Sequence, residues 1–203
     1  MKVICIGRNY LKHAEELNNQ KPEEPVIFLK PDSSILPRNQ AFIIPPFSNQ
    51  VHYEVELVYK IDKVGKYISK KFAHKYYSTF TIGIDFTARD LQAKLKEKSL
   101  PWEISKGFDG SCFVSKTWLN KTDFNLNEIH FSLLQNDKIV QQGSSSEMIF
   151  SIDEIIAYVS QFYTLKIGDL IFTGTPSGVG PVQINDELEG YVEKEKLFNL
   201  KIK

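Results

Sequence analysis

The sequence predicts a mixed, mostly β fold in a single domain over residues 1–203, and three observations predict it. Short β-branched and aromatic runs recur along the chain, each stopped by Gly, Pro or Asn. Helical spacing is confined to a few stretches. Alternating βα units of regular length are missing, which argues against a doubly wound sheet.

Taken in order, Lys2–Ile6 is a first strand, stopped by Gly7. Tyr10–Leu17 has helical spacing, with Leu11, Ala14 and Leu17 on one face. Val26–Leu29 is a short strand between Pro25 and Pro31, and the stretch from Pro31 to Gln50 is loop-rich. Val51–Tyr59 is the cleanest strand: Val51, Tyr53, Val55, Leu57 and Tyr59 share one face, and His52, Glu54, Glu56 and Val58 the other. Tyr77–Ile84 is a further strand. Thr87–Lys98 reads as a helix opened by Thr87 and Asp90 at capping-box spacing. Ile129–Leu134 and Lys138–Gln142 form a hairpin through Gln135-Asn136-Asp137. Ser151 and Glu154 open a helix over Ile152–Phe162. Leu170–Phe172 delivers a Gly-rich turn, and Leu188–Val192 with Leu197–Ile202 closes the chain as an antiparallel pair.

Composition narrows the function classes. Twenty-five basic residues balance 25 acidic ones, so no bulk positive field awaits a nucleic acid, and no basic segment is interleaved with aromatics. Two cysteines, Cys5 and Cys112, exclude a disulfide scaffold and any four-thiolate metal site. No secretory segment fits the start of the sequence and no run of 18 apolar residues occurs, so the chain reads as cytoplasmic, with no membrane partner.

The chemistry-bearing residues are acids first. Glu54 and Glu56 point the same way from one strand, about 7 Å apart. Converging carboxylates repel unless a positive charge lies between them, and an all-oxygen set favours magnesium, manganese or calcium over zinc. A solvated strand face carrying two acids is the alternative. Asp85 follows the next strand, where an acid projects into a cleft or caps the turn. His13 and Glu16 sit three apart on a helix, where the carboxylate would orient the imidazole; a surface pair fits equally. Lys30 and Lys106 stand beside Pro and Gly rather than in charge runs, as cations fixed near an anion would; a generic surface lysine is the alternative for each. The turn Gly174–Gly180 offers amides and the Thr175 and Ser177 hydroxyls as a cradle for a carboxylate or phosphate, and turn chemistry alone explains it equally.

In combination, GRNY (7–10), His13 with Glu16, FLKP (28–31), HYEVEL (52–57), GIDFTARD (83–90), SKGFDGSC (105–112) and GDLIFTGTPSGVG (168–180) strongly resemble the fumarylacetoacetate hydrolase family, in the family's own order. The short form is most similar to its acylpyruvase and oxaloacetate decarboxylase branch. The resemblance implies a twisted β roll of mixed sheets with a few short helices, forming a homodimer. It implies that Glu54, Glu56 and Asp85 hold Mg2+ or Mn2+. It makes His13 and Glu16 a water-activating dyad, gives Lys106 a contact to substrate or metal-held water, and sets Arg8, Lys30, Gln92 and Thr175 along the substrate site. The abundance of aromatics, 14 Phe, 9 Tyr and 2 Trp, also suits a buried interface.

The expected function is then magnesium-dependent hydrolysis of 3-acylpyruvates to pyruvate and a carboxylic acid, with decarboxylation of oxaloacetate on the same 2-oxo acid site. A hydratase or isomerase of 2-hydroxydienoates is the enzymatic alternative. A non-catalytic metal-binding structural protein is the alternative of another class.

Overall fold

A computed structural model of the chain describes residues 1–11 and 21–203. Its strands are β1 (Val3–Gly7), β2 (Val26–Lys30), β3 (Val51–Tyr53), β4 (Val55–Ile61), β5 (Tyr77–Asp85), β6 (Thr87–Ala88), β7 (Cys112–Val114), β8 (Leu119–Asn120), β9 (His130–Gln135), β10 (Lys138–Ser144), β11 (Leu170–Phe172), β12 (Gly180–Pro181), β13 (Glu187–Val192) and β14 (Glu195–Lys201). The helices are short: α1 (Lys70–Ala73), α2 (Arg89–Glu97), α3 (Glu103–Lys106) and α4 (Ile152–Phe162). The mostly β, mixed fold expected from the sequence is the fold observed.

The largest sheet runs β2-β1-β11-β4-β5-β7, with β8 also paired to β5; β1 and β11 are parallel and the other neighbours antiparallel. It curls, so that the chain leaving β2 meets the opposite edge, where Ile35 bridges Cys112 of β7. A four-stranded sheet, β10-β9-β13-β14, packs over it, and β12-β3-β6 forms a small third sheet. β4 is buried on both faces. Leu57, Tyr59 and Ile61 join the main core, and Val58 joins a smaller cluster with Val3, Cys5, Cys112, Leu170 and Phe172. A strand covered on both sides reads as a nearly continuous apolar run, which is why Glu56 stands out in it. Burial pushes the Cys5 and Cys112 thiols up, Cys112 to about 12, and both are inert core residues.

Where β5 crosses the second core, Gly83 is required. A Cβ there would stand 2.5 Å from the Phe113 carbonyl oxygen and 2.9 Å from the Phe172 ring. The hairpin expected between β9 and β10 turns on Asn136 and Asp137, both at positive φ (52° and 65°), the backbone a two-residue hairpin turn needs. The capping box at Ser151 and Glu154 is present: Glu154 Oε2 accepts from Ser151 N–H at 2.9 Å, and the Ser151 hydroxyl oxygen accepts from Glu154 N–H at 3.4 Å.

Two expectations are corrected. The run Val51–Tyr59 is two strands in two sheets, because the chain leaves the small sheet after Tyr53 and enters the large one at Val55. A period of two is blind to such a switch. The helix expected from Thr87 begins at Arg89 instead, without a side-chain cap. Thr87 lies in β6 opposite His52, and Asp90 accepts from the Ser48 hydroxyl at 2.6 Å and the Asn49 amide at 3.1 Å. From residue 12 onward, the helix expected over Tyr10–Leu17 lies outside the described residues. Among the described residues no helix is long and apolar enough to cross a membrane.

Candidate active site

The break between β3 and β4 puts Glu54 at a corner, and Glu56 follows as the second residue of β4. Asp85 ends β5, whose antiparallel pairing brings it back to that corner; its amide donates to the Glu54 carbonyl at 2.9 Å. One carboxylate oxygen from each of Glu54, Glu56 and Asp85 falls within 4.8 Å of the others, and all three residues are buried. Burial, then the charges of Asp85 and Glu54, hold the Glu56 carboxyl well above the usual carboxylate range, against the Gly174 amide and Lys106.

Two lysines answer this charge. Lys106, at the end of α3, places Nζ 2.8 Å from Glu54 Oε2, 2.7 Å from Asp85 Oδ2 and 2.6 Å from the Thr87 hydroxyl. Burial works against its ammonium, but Asp85 and Glu54 carry its pKa above the usual lysine value. Lys30, at the end of β2, comes from the other edge of the curled sheet. Its Nζ stands 2.7 Å from Asp85 Oδ1, an ion contact outside hydrogen-bond alignment, and donates to the Ser111 carbonyl and hydroxyl at 3.0 Å and to the Lys106 carbonyl. Arg89 closes the outer side: Nη2 binds Glu54 Oε1, and Nη1 donates to Gln92 Oε1 at 2.7 Å.

These groups surround a narrow cavity of about 30 Å³, which Arg8, Gln92 and Thr175 also line. Arg8 follows the end of β1 at a positive φ of 61°, a strained conformation for a residue with a side chain. In the turn after β11, Gly174 and Thr175 bond to the chain itself. The Gly174 amide donates to Glu56 Oε2 at 2.6 Å, and the Thr175 hydroxyl donates to the Val55 carbonyl at 2.8 Å while accepting from Gln141 Nε2 at 2.9 Å. Ser177 is absent from the cavity wall. The Gly174 amide is thus spent on the protein's own Glu56 carboxylate.

Glu54, Glu56, Asp85, Lys106, Lys30, Arg8, Gln92 and Thr175 are thus brought to one place. His13 and Glu16 lie outside the described residues. The sequence reading missed Thr87, Arg89, Lys96 and Trp102 at this site. A signal existed for two of them: Arg89, Gln92 and Lys96 fall three and four apart on α2, one helix face turned to the cavity. Trp102 carries no such mark; the turn between α2 and α3 brings it in.

An all-oxygen, buried triad of this spacing fits a hard divalent cation, whose charge would offset the burial and the repulsion that raise Glu56. Glu54, Glu56 and Asp85 are the residues that would hold it.

The fumarylacetoacetate (FAA) hydrolase C-terminal family profile matches residues 2–202, and the chain belongs to that family. It is 45% identical over 183 residues to the mitochondrial oxaloacetate decarboxylase of Dictyostelium discoideum, covering 90% of this chain and 84% of that one. It is 39% identical over 201 residues to the mouse mitochondrial oxaloacetate tautomerase FAHD1, covering 99% and 91%. Among solved structures, a fumarylpyruvate hydrolase from Pseudomonas aeruginosa in complex with Mn2+ and pyruvate superposes with a TM-score of 0.92 at 32% identity, covering 100% of this chain and 89% of that one.

Proposed function

We propose that this chain is a divalent-metal-dependent enzyme acting on short 2-oxo acids through their enol forms. Its first substrate is oxaloacetate, and its metal is Mg2+ or Mn2+. The observation that carries the reading is the convergence of Glu54, Glu56 and Asp85 within 4.8 Å. The ammoniums of Lys106 and Lys30 are locked beside them. The oxaloacetate relatives and the manganese–pyruvate complex support it.

When bound, the cation supplies a Lewis acid to the substrate's carboxylate and 2-oxo group. The protein's part is positional and electrostatic. Lys106, whose Nζ already donates to Glu54, Asp85 and the Thr87 hydroxyl, is placed as a hydrogen-bond donor to negative charge developing on the substrate oxygen. Lys30 fixes Asp85 from behind, and Arg89 fixes Glu54 from the side, so the carboxylates are held before substrate arrives. Tautomerisation moves one proton between C3 and the 2-oxo oxygen. Decarboxylation passes the C3–C4 electron pair into the enolate as CO2 leaves.

A second reading, hydrolysis of 3-acylpyruvates, is favoured by the fumarylpyruvate hydrolase likeness and by the His13–Glu16 motif. His13, oriented by Glu16, takes a proton from water. Hydroxide adds at C4, the C3–C4 bond breaks, and pyruvate enolate and the acid leave. His13→Ala is expected to lower hydrolysis by about 10²–10⁴ while lowering oxaloacetate decarboxylation much less. Equal losses would make His13 a lid or positioning residue.

The deciding assay is a panel of oxaloacetate and acylpyruvates with Mg2+ or Mn2+, following enol absorbance and pyruvate release with the metal-only rate subtracted. No turnover of any member would reject the reading. The family resemblance and the aromatic content support a two-fold dimer, and the sequence reading a cytoplasmic one. A light-scattering mass near the 23.3 kDa of one chain at micromolar concentration would reject the dimer.

A further inference from the structure

The cavity holds more positive charge than its acids consume. Among the described residues, Arg8, Arg89, Lys96 and Lys106 line it, and Lys30 stands behind it, against the carboxylates of Glu54, Glu56 and Asp85. Lys30, Lys106 and Arg89 each contact one or two of those acids. Arg8 and Lys96 do not. Among the described residues neither side chain has a carboxylate or hydrogen-bond partner, and each lies instead against the Trp102 ring, Arg8 Cζ at 5.9 Å and Lys96 Nζ at 5.6 Å from its centroid. Trp102 is itself seated edge-on to Phe28 of β2, with centroids 6.0 Å apart.

Two further observations point to a ligand here. The Nε–H groups of Arg8 and of Arg89 are both buried without a hydrogen-bond partner among the described residues. Buried guanidinium donors are rarely left so, and two on residues that line one cavity mark a place for an acceptor that the described residues do not supply. The cations also crowd one another. Burial, Arg8, Arg89 and Lys106 all push the Lys96 ammonium below the usual lysine value, with Glu54 opposing them. An aromatic face holds a cation in place without neutralising it, so the charge stays free for an anion.

We propose that Lys96 and Arg8, held on Trp102, receive a second carboxylate of the substrate, so that the site selects short 2-oxo diacids over 2-oxo acids with an uncharged tail. This rests on the reading that the acidic triad side of the cavity takes the 2-oxo acid end. Lys96 is then a specificity-determining residue. It meets the end of the substrate away from the reacting carbonyl, and Arg8, against the same indole, is its partner.

The test compares oxaloacetate with 2-oxosuccinamate, which has the same shape but an uncharged amide in place of the distal carboxylate. Both are measured with the magnesium-loaded protein, by kcat/KM for tautomerisation and, separately, by calorimetric affinity. Wild type is expected to favour oxaloacetate by at least about tenfold, the discrimination of a charged hydrogen-bonding site. Lys96→Met is expected to bring that ratio close to one, and Lys96→Arg to keep most of it. A structural role for Lys96 would weaken both ligands alike and leave the ratio unchanged, which would overturn the proposal. So would a wild-type ratio near one. If neither compound turns over but the binding ratio still collapses in Lys96→Met, the charge-reading role stands and the assigned reaction falls.

Discussion

Lys30 Nζ stands 2.7 Å from Asp85 Oδ1, and both side chains are completely buried. Their elements, β2 and β5, are separated by three strands in the sheet order, so only the curl of the sheet brings them together. Lys30→Met would leave the buried Asp85 with Lys106 as its remaining cation. We expect a loss of about 3–5 kcal/mol in urea denaturation, the cost of breaking a buried pair from one side. Adding Asp85→Asn should restore part of it, because the stranded charge is then gone. A double variant no more stable than Lys30→Met would show that the two charges are not coupled.

The triad predicts metal binding directly. Glu54→Ala, Glu56→Ala and Asp85→Ala should each weaken Mg2+ and Mn2+ binding strongly in calorimetric titration. Saturating metal should also raise the melting temperature of wild type, by the equivalent of about 2.7 kcal/mol at a hundredfold excess over Kd, and leave Asp85→Ala unmoved. Wild-type affinity in the triple alanine variant would remove the site.

Gly174 links the turn after β11 to the acids. Its φ is +97°, a Cβ there would stand 2.8 Å from Asn9 Cβ, and its amide holds Glu56 Oε2. Gly174→Ala should cost about 1–3 kcal/mol in stability from backbone strain. It should also weaken metal affinity, since the amide that orients Glu56 must shift. Unchanged affinity in a destabilised protein would confine the role of Gly174 to the fold.

Glu154 gives a pH signature far from the site. Its bond to Lys70 at 2.7 Å, with help from Ser151 against partial burial, lowers its carboxyl from 4.5 to about 2. A carboxyl depressed in the folded state contributes stability that is present above the unfolded value and lost as pH falls through the folded one. Wild type should therefore melt higher than Glu154→Gln at pH 7. The gap should close between pH 4.5 and about 2, and be smaller in high salt because the pair is exposed. A gap independent of pH would mean that the capping geometry, and not the charge, is what matters.

Much of this protein is determined by its sequence alone. The β-branched and aromatic runs of β4 and β5, the Asn136-Asp137 turn and the Ser151–Glu154 box are local, and their physics acts over a few residues, so the mostly β character and most element positions follow from reading along the chain. Glu54 and Glu56 were legible as a pair because two residues on a strand share a face, and Asp85 because it ends the next one. The tertiary structure decided what those acids meet. Lys30 and Lys106 arrive from elements 24 residues upstream and 21 residues downstream of the first and last acid, on β2 and α3. Nothing in their own neighbourhoods specifies a partner. The switch of sheets at Glu54, the Gly174 amide turned onto Glu56 and the gathering of Arg8 and Lys96 on Trp102 are of the same kind. Local spacing sets which way a side chain points, but burial of a curled sheet on both faces sets which charges must share one low-dielectric space, and that is a property of the whole chain.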